Sequence, residues 1–182
     1  MPWIRTIKIQ TEHTPIILDK RKRLNNMISN RKKLYNFIDA ILKPLGYRRK
    51  KDTWYLHTDD CICFLSICKS PFGGYYEDVM GCFLKEIYDE QDEFPRYYKH
   101  NLVYRIDNVA GNEIVRRAFD LEKGEFINNE REEIIKDLIE NYVVPFLKDV
   151  STKAGIINAV KKYKGLNKRM DLKIKKALSV EG

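Results

Sequence analysis

The sequence contains no uninterrupted apolar run of about 18 residues, the length at which a helix begins to span a bilayer. Its first 15 residues also lack the apolar core of a secretory signal. Because nothing then directs the chain to an oxidising compartment, its four cysteines are expected to stay reduced. We therefore expect a soluble cytoplasmic protein that does not bind a membrane.

Cysteine is scarce, and its spacing differs from that of structural zinc sites, where two residues usually separate paired cysteines. Only one residue separates Cys61 from Cys63, and in a strand Cys68 would lie on the opposite face. Cysteine is also among the most frequently buried residue types. We therefore predict that Cys61, Cys63, Cys68 and Cys82 are core thiols that hold no metal and form no disulfide.

The sequence also lacks the common catalytic and ligand-binding motifs. None of His13, His57 and His100 lies in an HExxH motif or beside a serine-nucleophile motif. The glycine turn at residues 70–74 lacks the spacing of a phosphate-binding loop, and the acidic run at residues 86–93 lacks the spaced ligands of a calcium loop. We predict no catalytic residue, metal or cofactor, but an enzyme stays open because catalytic groups assemble in space.

Apolar residues are plentiful, since 43% of the 182 residues are hydrophobic and 12% are aromatic. This composition predicts one domain with a packed core. We divide the chain into three parts. Residues 1–18 form an N-terminal segment that is poorly committed to either helix or strand, residues 19–165 form a single α+β domain, and residues 166–182 form a basic helical C-terminal extension. The core is predicted to lie before Gly165, so that deleting the extension would leave the fold intact.

Helical periodicity occurs in both halves of the chain. Apolar residues recur every three or four positions over residues 19–42, which predicts one helix, or two helices with Asn30 capping the second. Another helix is predicted from Asn129, and Pro145 within it predicts a kink or a stop. Ser151 is predicted to cap a further helix.

After residue 46 the apolar period changes to two, which is typical of strands. The predicted strands lie at residues 47–50, 53–57, 61–69, 75–84, 102–106 and 114–119, and residues 85–100 are predicted to form a loop. Cys61–Lys69 is almost wholly apolar, which predicts an interior strand hydrogen-bonded on both edges. Gly81 indicates a bulge or a close approach of another backbone. The predicted fold class is α+β: a single domain with a mainly antiparallel sheet of about five strands, packed with an N-terminal helix and C-terminal helices.

The net charge of +8 is distributed in three blocks. Residues 1–51 have a net charge of +11, residues 52–149 have −10, and residues 150–182 have +7. Such blocks can neutralise one another within the fold or face different partners.

The basic blocks are the strongest candidate for a nucleic-acid contact. The runs Arg31–Lys33 and Arg48–Lys51 lie close in sequence to Tyr35, Tyr47 and Trp54, and aromatic rings can stack on bases. The predicted contacts themselves lie at the C-terminus, at Lys161, Lys162, Lys164, Lys168, Arg169, Lys173, Lys175 and Lys176. Such binding would be weak, non-specific and salt-sensitive. The alternative is that these residues are an ordinary solvated surface.

The order of several short motifs resembles an uncharacterised family, domain-of-unknown-function family 4304. The matching segments are LKPLGYRRKKDTWY, FLSICKS, VMGCFL, FDLEKGEF and LIENYVVPFLKDVST. They cover about residues 31–155. The resemblance implies a small α+β domain and no assigned reaction.

Three functional hypotheses follow. The first is a non-catalytic intracellular domain that binds a protein partner or acts as an accessory unit, because charge blocks suit the steering of a partner. The second is weak, non-specific nucleic-acid binding by the basic termini. The third is an enzyme of unknown class. The identity of the partner and the oligomeric state stay open.

Overall fold

The structure is a computed structural model that describes residues 28–71, 75–88, 92–122 and 129–180. The start of the helix predicted over residues 19–42 and most of the glycine turn lie outside these ranges. Over the described residues, no helix is both long and apolar enough to cross a bilayer.

The described chain contains five strands and seven α-helices. The strands are β1 (Arg48–Lys50), β2 (Thr53–His57), β3 (Cys61–Lys69), β4 (Tyr76–Leu84) and β5 (Leu102–Tyr104). The helices are α1 (Arg31–Leu42), α2 (Asp107–Ala110), α3 (Asn112–Phe119), α4 (Glu130–Leu138), α5 (Val144–Asp149), α6 (Lys153–Lys162) and α7 (Leu172–Leu178). Short 3₁₀ turns lie at Lys43–Leu45, Lys85–Ile87, Tyr97–Lys99 and Leu166–Arg169.

The strands form one antiparallel sheet in the order β1-β2-β3-β4-β5. Strand β3 pairs along one edge with β2, where Cys63 faces Leu56, and along the other with β4, where Cys63 faces Cys82. The prediction of an α+β fold with an interior strand at Cys61–Lys69 is therefore confirmed.

The two faces of the sheet pack against different parts of the chain. Side chains such as Trp54, Leu65 and Met80 belong to one large core cluster with the helices. On the opposite face, Phe64 and Phe83 belong to a smaller aromatic cluster, against which Tyr88, Phe94 and Tyr97 pack. Two covered faces explain why β3 is nearly free of polar side chains.

The strand predicted at residues 114–119 is wrong, because these residues belong to helix α3. Val115, Ala118 and Phe119 are buried, and their spacing of three and four places them on one helical face. Asp107 and Asn108, which lie between the two strands predicted at residues 102–106 and 114–119, are also helical and begin α2. In so short a segment, period-two and period-3.6 patterns overlap, and packing against β4 selects the helix.

Of the helix caps predicted at Asn30 and Ser151, the first is confirmed and the second is wrong. The Asn30 Oδ1 accepts the Lys33 N–H at 3.1 Å, so the predicted cap of α1 is confirmed. Ser151 is not the cap of α6, because its hydroxyl donates to the Lys148 carbonyl. Thr152 caps α6 instead and accepts the Gly155 N–H at 3.0 Å.

The helix does not stop at Pro145. A π-helical segment, Ile139–Val143, connects α4 to α5, and the Val144 N–H donates to the Ile139 carbonyl five residues earlier. Pro145 then lies in the first turn of α5, where a missing backbone N–H costs little. A wider hydrogen-bond spacing thus accommodates the proline.

The C-terminal segment contributes to the main core. Leu166, Met170, Ile174 and Leu178 are buried and belong to the same cluster as the helix-covered side of the sheet. Leu102 of β5 and Met170 also form a backbone bridge. The prediction that the core lies before Gly165 is therefore wrong, and removing this segment would expose part of the core.

Asp78 is a charged residue on the buried, helix-covered side of β4, with only 2% of its surface exposed. Its Oδ2 accepts the Ile106 N–H at 2.6 Å, and its Oδ1 lies 3.6 Å from Arg105 Nη2. Burial raises the pKa of Asp78 to about 6, although the Ile106 N–H and the Arg105 charge both act to lower it. The carboxylate fixes the chain after β5 against β4.

Gly81 of β4 lies close against the backbone at β5. A Cβ on Gly81 would lie 2.0 Å from the Leu102 carbonyl oxygen. The residue pairs in regular register with Val103, so the prediction of a close backbone approach is confirmed and no bulge is present there.

We predict that Asp78→Asn gains stability relative to the parent as the pH rises from about 4 to about 7. Because the folded pKa lies above the unfolded value of 3.8, the folded parent binds the extra proton and loses stability over this interval. The full shift corresponds to about 3 kcal/mol. Asparagine still accepts from Ile106 but does not titrate. Urea unfolding across the pH range measures the difference, and parallel profiles would contradict the prediction.

We predict that Gly81→Ala destabilises the fold by at least about 2 kcal/mol, because the added methyl group meets backbone rather than a movable side chain. Gly165→Ala is the matched control: its Cβ would meet nothing within 4 Å, and only the left-handed backbone (φ 78°) costs about 1 kcal/mol. Thermal and urea unfolding compare the two variants. Equal losses would show that the contact with Leu102 is not the cause.

Candidate functional site

The eight predicted nucleic-acid contacts all lie on the surface of the C-terminal segment. Seven are exposed, and Lys175 is half-buried. Lys162 forms an ion pair with Asp149 at 2.7 Å. Arg169, at the end of the 3₁₀ turn Leu166–Arg169, lines a cleft beside Asp78, and none of the other seven residues lines that cleft. The structure therefore does not gather the eight residues into one pocket.

A second group of basic residues surrounds the turn between β1 and β2, and we call it the hairpin surface. It consists of Arg31, Lys32, Arg49, Lys50, Lys51 and Arg96. These residues line two adjacent cavities of about 410 Å³ and 490 Å³ that share Lys51 and Asp52. Two basic runs that are separate in sequence, at residues 31–33 and 48–51, thus lie side by side.

The hairpin turn projects its basic residues from the edge of the sheet. Lys50 faces Thr53 in the register, and Lys51 and Asp52 form the turn between them, with Lys51 in the left-handed region at φ 61°. The Asp52 carbonyl accepts the Ile67 N–H at 2.9 Å, which ties the turn to β3. All three residues of β1 are exposed.

Asp39 of α1 holds the hairpin in place. Its Oδ1 accepts from the indole N–H of Trp54 at 2.7 Å and from Arg49 Nε at 3.0 Å, while its Oδ2 lies 2.9 Å from Lys43 Nζ. Burial acts to raise the pKa of Asp39, but these three donors together lower it below its ordinary value. The ionised carboxylate thus joins α1 to β1 and β2.

The aromatic rings of this region already have cations on their faces. Arg31 and Arg49 lie 5.1 Å and 5.5 Å from the ring centroid of Tyr35. Arg48 and Lys50 lie 5.3 Å and 5.1 Å from that of Phe94. These contacts orient the basic side chains and occupy ring faces that a base would need for stacking.

The segment at residues 92–98 forms the second wall of the hairpin surface. The Tyr55 hydroxyl donates to the Pro95 carbonyl at 2.7 Å, and His57 Nε2 lies 2.9 Å from the Glu93 carbonyl oxygen. The Phe94 ring packs edge-on against Tyr55 with centroids 5.4 Å apart. These contacts fix Arg96 and its neighbours beside the turn.

The acidic run forms ion pairs with both basic blocks. Glu93 pairs with Arg48 at 2.5 Å, and Glu86 pairs with Lys153. Residues 89–91 lie outside the described residues. Part of the charge asymmetry in the sequence is therefore neutralised within the fold.

The cysteines lie on both faces of the sheet. Cys61, Cys63 and Cys82 are buried on the helix-covered face, while Cys68 is half-buried on the other, and all four are free thiols. Burial raises the pKa of Cys63 far above its ordinary value. Among the residues that the structure describes, no three metal-ligating side chains are grouped.

Neither described histidine is hydrogen-bonded to a hydroxyl or thiol group. His57 reaches the Glu93 carbonyl, and the His100 ring stacks on Phe64 with centroids 6.4 Å apart. Thr53 and Ser66 share a hydrogen bond at 2.9 Å on the same face of the sheet. His13 lies outside the described residues.

Sequence reasoning missed both buried carboxylates, although each left a signal. Asp39 follows Tyr35 by four positions and so lies on the apolar face of α1. Asp78 alternates with Tyr76 and Met80 and so lies on the buried face of β4. An acidic residue in phase with apolar residues indicates a buried, partnered carboxylate. Arg96 could not be recognised in this way, because only tertiary contacts bring it to the turn between β1 and β2.

Comparisons with known proteins identify one family. The sequence model of the family described as "Domain of unknown function (DUF4304)" matches residues 38–149, which is more than half of the chain. No curated protein matches the chain. No solved structure matches it either.

We predict that Asp39→Ala destabilises the fold by about 2–4 kcal/mol, because it leaves the Trp54 indole N–H and the Arg49 guanidinium without their acceptor. Trp54→Phe removes the indole N–H together with part of a fully buried ring, so the loss of the hydrogen bond, about 1 kcal/mol, adds to the cost of the cavity that it leaves. Asp137→Ala, at an exposed acid, should stay within about 0.5 kcal/mol. Urea unfolding at neutral pH compares the three, and an Asp39 variant as stable as the Asp137 control would contradict the prediction.

Proposed function

The chain belongs to the DUF4304 family, and from that premise we propose that it is a non-catalytic, cytoplasmic protein-binding domain. It recognises an acidic, extended segment of a partner protein. The observation that carries the proposal is the position of β1 at the edge of the sheet, where all three of its residues are basic and exposed.

An edge strand offers backbone hydrogen-bonding groups to another strand. Strand β1 pairs with β2 along one edge, and no other strand of the described chain pairs with it. Strand addition is a recurring mode of peptide recognition, in which backbone hydrogen bonds supply affinity and side chains supply specificity.

The positive charge around β1 determines which kind of peptide segment would bind at this edge. The hairpin surface has six cations, and Asp52 and Asp92 are the acidic residues that line the same two cavities. Such an edge repels a second copy of itself, which limits aggregation, and attracts an acidic strand. Glutamate or aspartate side chains of that strand would pair with the cations.

The same geometry favours a peptide over a nucleic acid at this surface. The rings of Tyr35 and Phe94 have cations on their faces, and Arg96 both lies over the Tyr98 ring and donates to its hydroxyl at 2.6 Å. Base stacking would have to displace these contacts.

The contact is small. A strand of three residues pairs over a short length, so the interface falls below about 1,200 Å², the range of transient complexes. We therefore expect fast exchange and an affinity that falls as salt is added.

Weak, non-specific nucleic-acid binding by the C-terminal segment is the second candidate. It is favoured by the exposure of seven of the eight basic residues predicted there. Phosphate contacts of this kind give a dissociation constant of about 10⁻⁴ to 10⁻⁶ M at physiological salt. Deleting the segment is unsuitable as a test, because it would remove buried core residues, so charge substitution replaces it.

We predict that the Lys50→Glu/Lys51→Glu variant binds a fluorescent peptide of about ten alternating glutamates and valines at least about tenfold more weakly than the parent. The substitution replaces attraction by repulsion at the edge of β1. Lys161→Glu/Lys164→Glu makes the same charge change at two exposed C-terminal positions and should bind as the parent does. Fluorescence anisotropy over a salt series provides the measurement.

Two further probes distinguish the alternatives. N-methylation of alternate peptide amides removes backbone donors and should abolish binding if a strand is added to β1. An oligonucleotide of equal charge should bind more weakly than the peptide. Equal loss in both charge variants, or tighter binding of the oligonucleotide through Lys161 and Lys164, would overturn the protein-binding proposal.

A further inference from the structure

A cleft of about 370 Å³ opens beside Asp78, between β4, helices α2 and α3 and the C-terminal 3₁₀ turn. Most of its lining residues are polar or charged, and they include Asp78, Arg105, Asp107, Asn112, Arg116 and Arg169. Its volume lies in the range of small-molecule sites, about 300–1,000 Å³. None of these residues belongs to the hairpin surface, so the cleft is independent of the function proposed above.

One of the three arginines in the cleft is neutralised by the protein itself. Arg105 Nη2 lies 3.6 Å from Asp78 Oδ1, and Arg105 Nε lies 3.2 Å from Asp107 Oδ2. These two carboxylates hold Arg105 against the wall. Arg105 therefore forms part of the cleft wall but offers little net charge to a ligand.

The other two arginines keep their charge available. Both Arg116 and Arg169 are exposed, and no carboxylate of the described chain forms an ion pair with either. Arg116 lies 5.7 Å from the ring centroid of Tyr75, which orients its guanidinium over the cleft wall. A guanidinium presents a planar fork of donors that matches phosphate and carboxylate oxygens.

The fold, rather than a flexible surface, brings these arginines together. Tyr75 forms a backbone bridge with Asp120 immediately after α3, which fixes the ring beneath Arg116. Arg169 lies between the buried residues Leu166 and Met170, and Met170 bridges to β5. The two cations thus come from distant parts of the chain and face one cavity.

We propose that this cleft binds a small phosphate monoester with hydroxyl groups, such as a sugar phosphate, with Arg116 and Arg169 holding the phosphate. A dianion matches two guanidinium groups that form no ion pair with a carboxylate of the described chain. The amides of Asn108 and Asn112 and the Asp107 carboxylate supply the donors and acceptors that hydroxyl groups need. An apolar ligand would displace water from these polar groups without offering them new hydrogen bonds.

The test is calorimetric titration of the full chain with glucose 6-phosphate, with glucose as the uncharged control. We expect saturable binding of the phosphate ester with one site per chain and none of glucose. Arg116→Gln/Arg169→Gln should weaken binding at least about tenfold. Lys168→Gln removes one charge next to Arg169 in sequence and should bind within about twofold of the parent.

Lysine variants separate the guanidinium geometry from net charge. Arg116→Lys/Arg169→Lys keeps both charges and should give an intermediate loss, because lysine cannot bind phosphate in a bidentate way. Thermal melting confirms that each variant is folded. The proposal is overturned by the absence of saturation up to about 10 mM ligand, by an equal loss in Lys168→Gln, or by full binding in the lysine variant.

Discussion

The buried carboxylate of Asp39 is the interaction on which the organisation of this protein depends most directly. It accepts from Trp54 on β2 and from Arg49 on β1, while Lys43 at the end of α1 completes its environment. Without an acceptor at this point, α1 and the β1–β2 hairpin would meet across an unpaired Trp54 indole N–H and an unpaired Arg49 Nε–H. The same carboxylate that joins helix to sheet therefore also fixes the direction of the basic edge.

The distribution of charge follows from this arrangement. The acidic run and the basic blocks partly neutralise each other, through Glu93 with Arg48 and Glu86 with Lys153. Among the described residues, the hairpin surface at the β1 edge and the cleft lined by Arg116 and Arg169 both keep an excess of positive charge. They lie on different elements, so a macromolecular partner and a small anion need not compete for the same residues.

Much of the fold was predictable because its signals are local. The apolar run of β3, the Asn30 cap and the close approach at Gly81 each follow from residue type and spacing, and the structure confirms all three. The errors arose where local signals were short or ambiguous. Helix α3 was predicted as a strand because its six predicted residues fit both periods, and packing of Val115 and Phe119 decided between them.

By itself, the sequence determined the α+β class, the central strand, the three charge blocks and the resemblance to the DUF4304 family, because each depends on composition, periodicity or motif order within short segments. Only the tertiary structure decided which charges meet. It placed Arg96 in the same cavity as Lys50, Arg169 in the same cleft as Arg116, and the C-terminal Ile174 in the core. The reason is physical: burial and electrostatic pairing depend on distances in space, and residues far apart in sequence become neighbours only when the sheet and helices pack together.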